Sequence, residues 1–185
     1  MHSLFHIFFN LFESIYHRLH HLRPIGSMLY IGTETYKGSE RQFEDGTRLT
    51  SGDVTASIHF NNQRLAKEYE GRPSSGSGFR FARVFIDSMH KIAEQVLVDP
   101  ELKTVKVFSG ITWFKPHGSR FGFSVEPLPD SLRKKFLRIH FRMLLKAVLP
   151  TEFRPAKSDL EPHQFWLTRD QLLKHFCHEI NTRHG

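Results

Sequence analysis

The chain predicts an α+β domain in which a mixed, largely antiparallel sheet of about five or six strands is covered by amphipathic helices. Three observations predict it. Segments of strand-like pattern, Met28 to Tyr36, Val54 to Phe60 and Thr104 to Phe114, stand between segments of helical period. The turn signals Glu44-Asp45-Gly46-Thr47 and Ser51-Gly52-Asp53 lie close enough together for antiparallel pairing of the strands they separate. Finally, 185 residues with 39% hydrophobic content support one sizeable core, so residues 1–185 read as a single domain.

The elements follow in order. Residues 3–22 repeat apolar side chains at Leu4, Ile7, Phe8, Leu11, Phe12, Ile15 and Leu19, which is an amphipathic helix closed by Arg23-Pro24. His2, His6, Asn10, Glu13 and His17 take its other side, and the helix either docks on the core or makes peripheral contact with a membrane. After the strand Val54 to Phe60, Asn61 or Asn62 is suited to cap a short helix carrying Leu65 and Tyr69. Gly71 to Gly78 reads as a surface loop, and Phe79 to Val98 as a helix burying Ala82, Phe85, Ile86, Met89, Ile92, Ala93 and Val96.

Thr104 to Phe114 is expected as a long strand, Lys115 to Ser119 as a turn, and Arg120 to Glu126 as the returning strand. Asp130 is placed to cap a helix ending at Pro150, with Leu132, Phe136, Ile139, Met143 and Leu144 facing inward. Arg133, Lys134, Lys135, Arg138, Arg142 and Lys146 crowd the remainder of that helix. Gln164 to Leu167 suggests a last short strand, and Thr168-Arg169-Asp170-Gln171 has capping-box spacing for a terminal helix.

Net charge is +7 with thirteen His in reserve, which favours an anionic partner, either a polymer or a lipid headgroup. No recognised DNA- or RNA-binding signature accompanies the basic residues, so specific nucleic-acid binding is not expected. The single Cys177 excludes an internal disulfide and sits at core spacing with Leu172, Leu173 and Phe176. The N-terminus lacks the features of a secretory signal, and His6, Asn10 and Glu13 break the apolar runs well short of a membrane span. A cytoplasmic protein is expected, either soluble or attached to a membrane surface.

Several motifs taken together resemble the YkoP-like domain family: Asp45-Gly46-Thr47, Gly52-Asp53, His59-Phe60-Asn61-Asn62-Gln63-Arg64-Leu65, Gly110-Ile111-Thr112, Phe121-Gly122-Phe123 with Pro127-Leu128-Pro129, and Phe165-Trp166-Leu167-Thr168-Arg169. The resemblance runs from about Leu11 to Phe176. It implies a cell-envelope context, because such modules often follow a polysaccharide deacetylase domain. It does not imply deacetylase chemistry, since the Asp-Asp motif and the barrel-length sequence of that partner are missing here.

The site expectation is a non-catalytic binding or accessory module for an anionic or polyhydroxylated envelope component. His59, Asn61, Asn62 and Arg64 are the first-choice contacts, because polar side chains gather where a strand turns into a helix. His117 and Arg120 come second, and Arg133, Lys134, Arg138 and Arg142 offer an anion or membrane surface. No cofactor or metal is expected: Glu13, His17 and His21 share one helix face, but one straight helix rarely supplies three ligands. The alternative is an acyl- or acetyltransferase-like enzyme holding a CoA pyrophosphate at Ser74-Ser75-Gly76-Ser77-Gly78, a run that resembles the acyl-CoA loop of the GNAT acetyltransferases. The helix expected from Asn62 to Glu70 departs from that pattern, which wants the strand to enter the loop directly.

Overall fold

Alternation along Val54–Phe60 puts Ala56, Ile58 and Phe60 on one side of a strand and Thr55, Ser57 and His59 on the other, and the architecture is arranged around that division. The computed structural model describes residues 18, 21–61, 64, 77–112, 121–148 and 161–177, with side chains left aside at 77–80 and 144–148. The main sheet has six strands: β1 (Arg23–Ile25), β2 (Leu29–Thr35), β5 (Val54–Phe60), β6 (Val107–Thr112), β7 (Ser124–Pro127) and β8 (His163–Thr168). Their spatial order is β1-β2-β5-β6-β8-β7, and β3 (Arg41–Gln42) with β4 (Arg48–Leu49) forms a separate hairpin. Gly46, at φ +87°, closes that hairpin in a backbone conformation that favours glycine.

Every neighbouring pair of the main sheet is antiparallel except β5 and β6. Parallel strands need a crossover, and the helix α1 (Ser77–Val98) lies between these two in sequence. The expected mixed, largely antiparallel α+β fold is therefore the observed one.

The core lies on one face of the sheet. Leu29, Ile31, Ala56, Ile58, Phe108, Phe165 and Leu167 meet Met89, Ile92, Ala93 and Val96 of α1. The C-terminal helix α3 (Arg169–Phe176) adds Leu172 and Phe176, followed by Cys177, all buried. Withdrawing side chains of this size from water is worth roughly 1.5–3 kcal/mol each, which makes this layer the main stabilising term. Thr168 caps α3 by accepting from the backbone N–H of Gln171 at 3.2 Å. The Gln171 side chain pairs with His175 at 3.2 Å, so the Thr168 contact is one half of the expected capping box.

Four expectations are corrected. First, the chain between α1 and β6 is not yet strand: Asp99 Oδ1 accepts from the N–H of Glu101 at 2.9 Å and of Leu102 at 3.3 Å, and a 3-10 turn follows at Leu102–Thr104. Second, β6 and β7 are not hairpin partners, because β8 is inserted between them. Third, Ser131 rather than Asp130 caps the helix α2 (Leu132–Val148), accepting from Lys134 N–H at 3.2 Å, while Asp130 pairs with the Lys134 ammonium at 2.9 Å. Fourth, Leu132, Phe136, Ile139 and Met143, assigned to the inside of α2, point outward, while the side chain of Leu144 lies outside those described.

Candidate functional site

Two of the first-choice contacts are engaged by the chain's own backbone. Asn61 is buried; its N–H donates to Met28 O at 2.7 Å and its Oδ1 accepts from Arg64 N–H at 3.0 Å, the i to i+3 contact of a capping Asn, while the rest of the expected short helix lies outside the described residues. Arg64 reaches from Nη1 to the carbonyls of Gly26 and Ser27, each at 3.4 Å, and so bridges to the β1–β2 turn. His59 is half-buried on the face of β5 away from α1, registered opposite Tyr30, and two residue pairs further along Ser57 donates to Gly32 O at 3.3 Å. Asn62, His117 and Arg120 lie outside the described residues, as do Ser74 to Gly76 and, apart from Arg18, His21 and Leu22, the N-terminal helix span 3–22.

The same outer face carries a cluster that the sequence did not announce. Arg41 stands 4.5 Å over the Trp166 ring and grips Glu126 with two nitrogens, at 2.9 and 3.1 Å. The Trp166 indole N–H also donates to Glu126, at 2.9 Å, and Tyr36 and Phe43 pack against its ring. Desolvation pushes the Glu126 carboxyl upward, but Arg41 and the indole outweigh it and hold it below the usual carboxylate range. Asp45, whose carboxyl burial would raise, is likewise held low by the Thr168 hydroxyl and by Thr47. These contacts lock the β3–β4 hairpin over the sheet. Their partners are far apart in sequence, so no local pattern could have paired them.

The basic helix α2 is arranged differently from its expectation. Leu132, Phe136, Ile139 and Met143 are 84%, 60%, 55% and 41% exposed, while Phe141 is buried and Leu137 half-buried on the opposite side. At about 100° per residue the helix therefore has two apolar faces, and this chain covers the one bearing Phe141. A signal existed in the sequence, because Leu137, Phe141 and Leu144 also recur at helical spacing. The two stripes compete in any reading of the period.

The cations of α2 divide in the same way. Lys134, with a side chain only 14% exposed, bonds Asp130 at 2.9 Å and Glu161 at 3.3 Å, and Arg138 pairs with Glu161 as well. The Asp130 hydrogen bond chiefly raises the Lys134 ammonium above its ordinary value. Arg133 and Lys135 are exposed and form no ion pair among the described residues. Arg142 is half-buried, with its Nε shielded and without a hydrogen-bond partner among the described residues. Burial holds His140, whose ring stacks on Phe136, below the ordinary histidine value.

Another basic surface is an open depression of about 470 Å³ between Thr47, Arg48, Lys103, Lys106, Arg169 and Asp170. Most of its cations are answered from within the chain. Lys106 pairs with Asp53 at 2.7 Å, Arg48 approaches Glu40 at 3.5 Å, and Arg169 donates to the carbonyls of Leu102, Lys103 and Val96. Among the described residues no group of three or more His, Cys, Asp or Glu could hold a metal ion, and no helix is long and apolar enough to cross a membrane.

No curated protein and no solved structure matches the chain. A family model described as the YkoP domain matches residues 2–176. That span takes in every strand of the sheet, the helices α1 to α3 and each of the motifs on which the resemblance rested. The chain belongs to the YkoP domain family.

Proposed function

We propose that this domain is a non-catalytic binding module for an anionic cell-envelope component, polysaccharide or lipid-linked, and that it makes contact through α2. The observation that supports this reading is charge density: the 17 residues of α2 contain six Lys or Arg and no Asp or Glu. Carboxylates from outside the helix answer Lys134 and Arg138, leaving Arg133 and Lys135 exposed and Arg142 with an unpaired nitrogen. An envelope partner accords with what the resemblance to YkoP-like modules implies, a place beside polysaccharide deacetylase domains. The test is retention on immobilised polyphosphate at low salt. Retention should weaken as salt rises and fall several-fold in Arg133→Gln/Lys135→Gln. Unchanged retention of that double variant would refute the assignment to α2.

One feature favours a second reading, an acyl- or acetyltransferase-like enzyme using the Ser/Gly loop 74–78. The single parallel pair, β5 and β6, is in register only over Thr55–Ser57 and Val107–Ser109, although both strands run further, to Phe60 and Thr112. Ligands of open sheets with parallel strands bind beyond the carboxyl ends of those strands, and α1 opens at Ser77 after that end of β5. Stabilisation of the protein by acetyl-CoA in a thermal-shift assay, abolished in Gly76→Ala/Gly78→Ala, would support this reading over the first. No shift at millimolar acetyl-CoA would remove it.

A further inference from the structure

The exposed apolar stripe of α2 narrows the class of partner. Leu132, Phe136, Ile139 and Met143 follow one another at helical spacing along about 16 Å of helix axis, on the side opposite the buried Phe141. Their exposure ranges from 84% down to 41%, so this is a continuous face and not an isolated apolar residue. At about 100° per residue, Lys135 and Arg142 flank the stripe on one side and Arg133 and His140 on the other. Arg133 thus supplies a cation along one edge, and Lys135 and Arg142 supply them along the other.

A soluble polyanion would satisfy the edges and leave the stripe in water. The headgroup layer of a bilayer satisfies both, because phosphates accept the flanking Lys and Arg while the acyl boundary takes the Leu, Phe, Ile and Met side chains. Resting on the reading of α2 as the contact surface, we infer that its partner is the surface of an anionic lipid bilayer. The helix lies in the interfacial plane with Leu132, Phe136, Ile139 and Met143 turned into the acyl boundary. Charge complementarity selects lipid over a second copy of this chain, whose α2 would bring the same unpaired cations against these.

The test uses the full chain with vesicles of phosphatidylglycerol and phosphatidylcholine, vesicles of phosphatidylcholine alone, and soluble polyphosphate. Flotation is expected with the anionic vesicles and to be at least about tenfold weaker with the neutral ones. Leu132→Ser/Phe136→Ser alters two exposed side chains, so its melting temperature should stay at the wild-type value while vesicle affinity falls at least about tenfold. Its polyphosphate binding should not change. Arg133→Gln/Lys135→Gln should lose about fivefold per cation on anionic vesicles.

Full vesicle affinity in the serine variant would overturn the bilayer inference, and polyphosphate binding that still depends on Arg133 and Lys135 would then leave the broader reading standing. Loss of both dependences removes both. A wild-type dimer that dissociates on Leu132→Ser/Phe136→Ser without any vesicle binding would assign the stripe to self-association. A melting temperature lowered by several degrees with vesicle affinity unchanged would assign it to a segment of this chain. Either result overturns the inference.

Discussion

Asn61 illustrates how a polar residue suited to ligand binding can be used up by folding. Its side-chain oxygen accepts the Arg64 N–H and its own N–H is spent on Met28 O. Asn61→Ala should cost about 1 kcal/mol in urea unfolding, whereas Asn61→Asp, an equally good cap, should stay within a few tenths. Equal stability of the alanine variant and wild type would contradict the capping role. Gly110 tests packing in the same way. A methyl group there would come within 2.6 Å of Ile58 O and 2.5 Å of the Phe165 ring, so Gly110→Ala should destabilise by about 2 kcal/mol. Histidine chemistry supplies a pH signature. Burial lowers His140, and burial followed by the neighbouring Lys174 lowers His175, both from an ordinary value of 6.5. The unfolded chain then binds these protons before the folded one does, so stability present above about pH 6.5 is lost as pH falls through the folded values. Thermal melts from pH 7.5 to 5.5 should show this decline, and His140→Gln should make it shallower. An identical slope in the variant would contradict the burial argument for His140. The lowered Asp and Glu groups act in a separate, more acidic window, below about pH 4.5.

Among the elements, legibility followed the range of the interactions that set them. Val54–Phe60 was readable to the residue because its alternation and the flanking turns are local. So was the buried face of α1, where Met89, Ile92, Ala93 and Val96 recur at one helical period and all prove fully shielded. Strand order was not readable: β8 reaches its place between β6 and β7 by long-range pairing, as in Phe108 with Leu167 and Val125 with Phe165. The orientation of α2 failed for another reason, since two apolar stripes share one helix and hydrophobic period cannot choose between them. Of the candidate site residues, the α2 cations were legible from sequence density alone, while the roles of Asn61 and Arg64 depended on contacts with Met28, Gly26 and Ser27. The β3–β4 hairpin was legible in its turn, Glu44-Asp45-Gly46-Thr47, but not in its fastening, by Arg41, Glu126 and Trp166 across the outer face. Because the Arg41 and Glu126 side chains are 35% and 42% exposed, Arg41→Ala should cost only about 1 kcal/mol. Amide exchange at Arg41, Phe43 and Leu49 should nevertheless accelerate well beyond that of β5. Uniform exchange across hairpin and sheet would show that the cluster does not fasten the hairpin.

At the scale of the whole molecule, a net charge of +7 is spread unevenly. The depression near Lys106 and Arg169 neutralises much of its charge internally, through Asp53 and backbone carbonyls. The exposed flank of α2 keeps its cations and frames them around apolar side chains. A polar sheet face, a core sealed under α1 and α3, and a helix with an exposed apolar side are the features on which the proposed contact of α2 with an anionic, partly apolar surface draws. Flotation of the wild type and of Leu132→Ser/Phe136→Ser with phosphatidylglycerol-containing vesicles at rising salt tests that claim most directly. Wild-type binding should persist in part at moderate salt, and the variant's should be weaker by at least about tenfold at every salt concentration. Equal binding by the two proteins, or no binding by either, would contradict it.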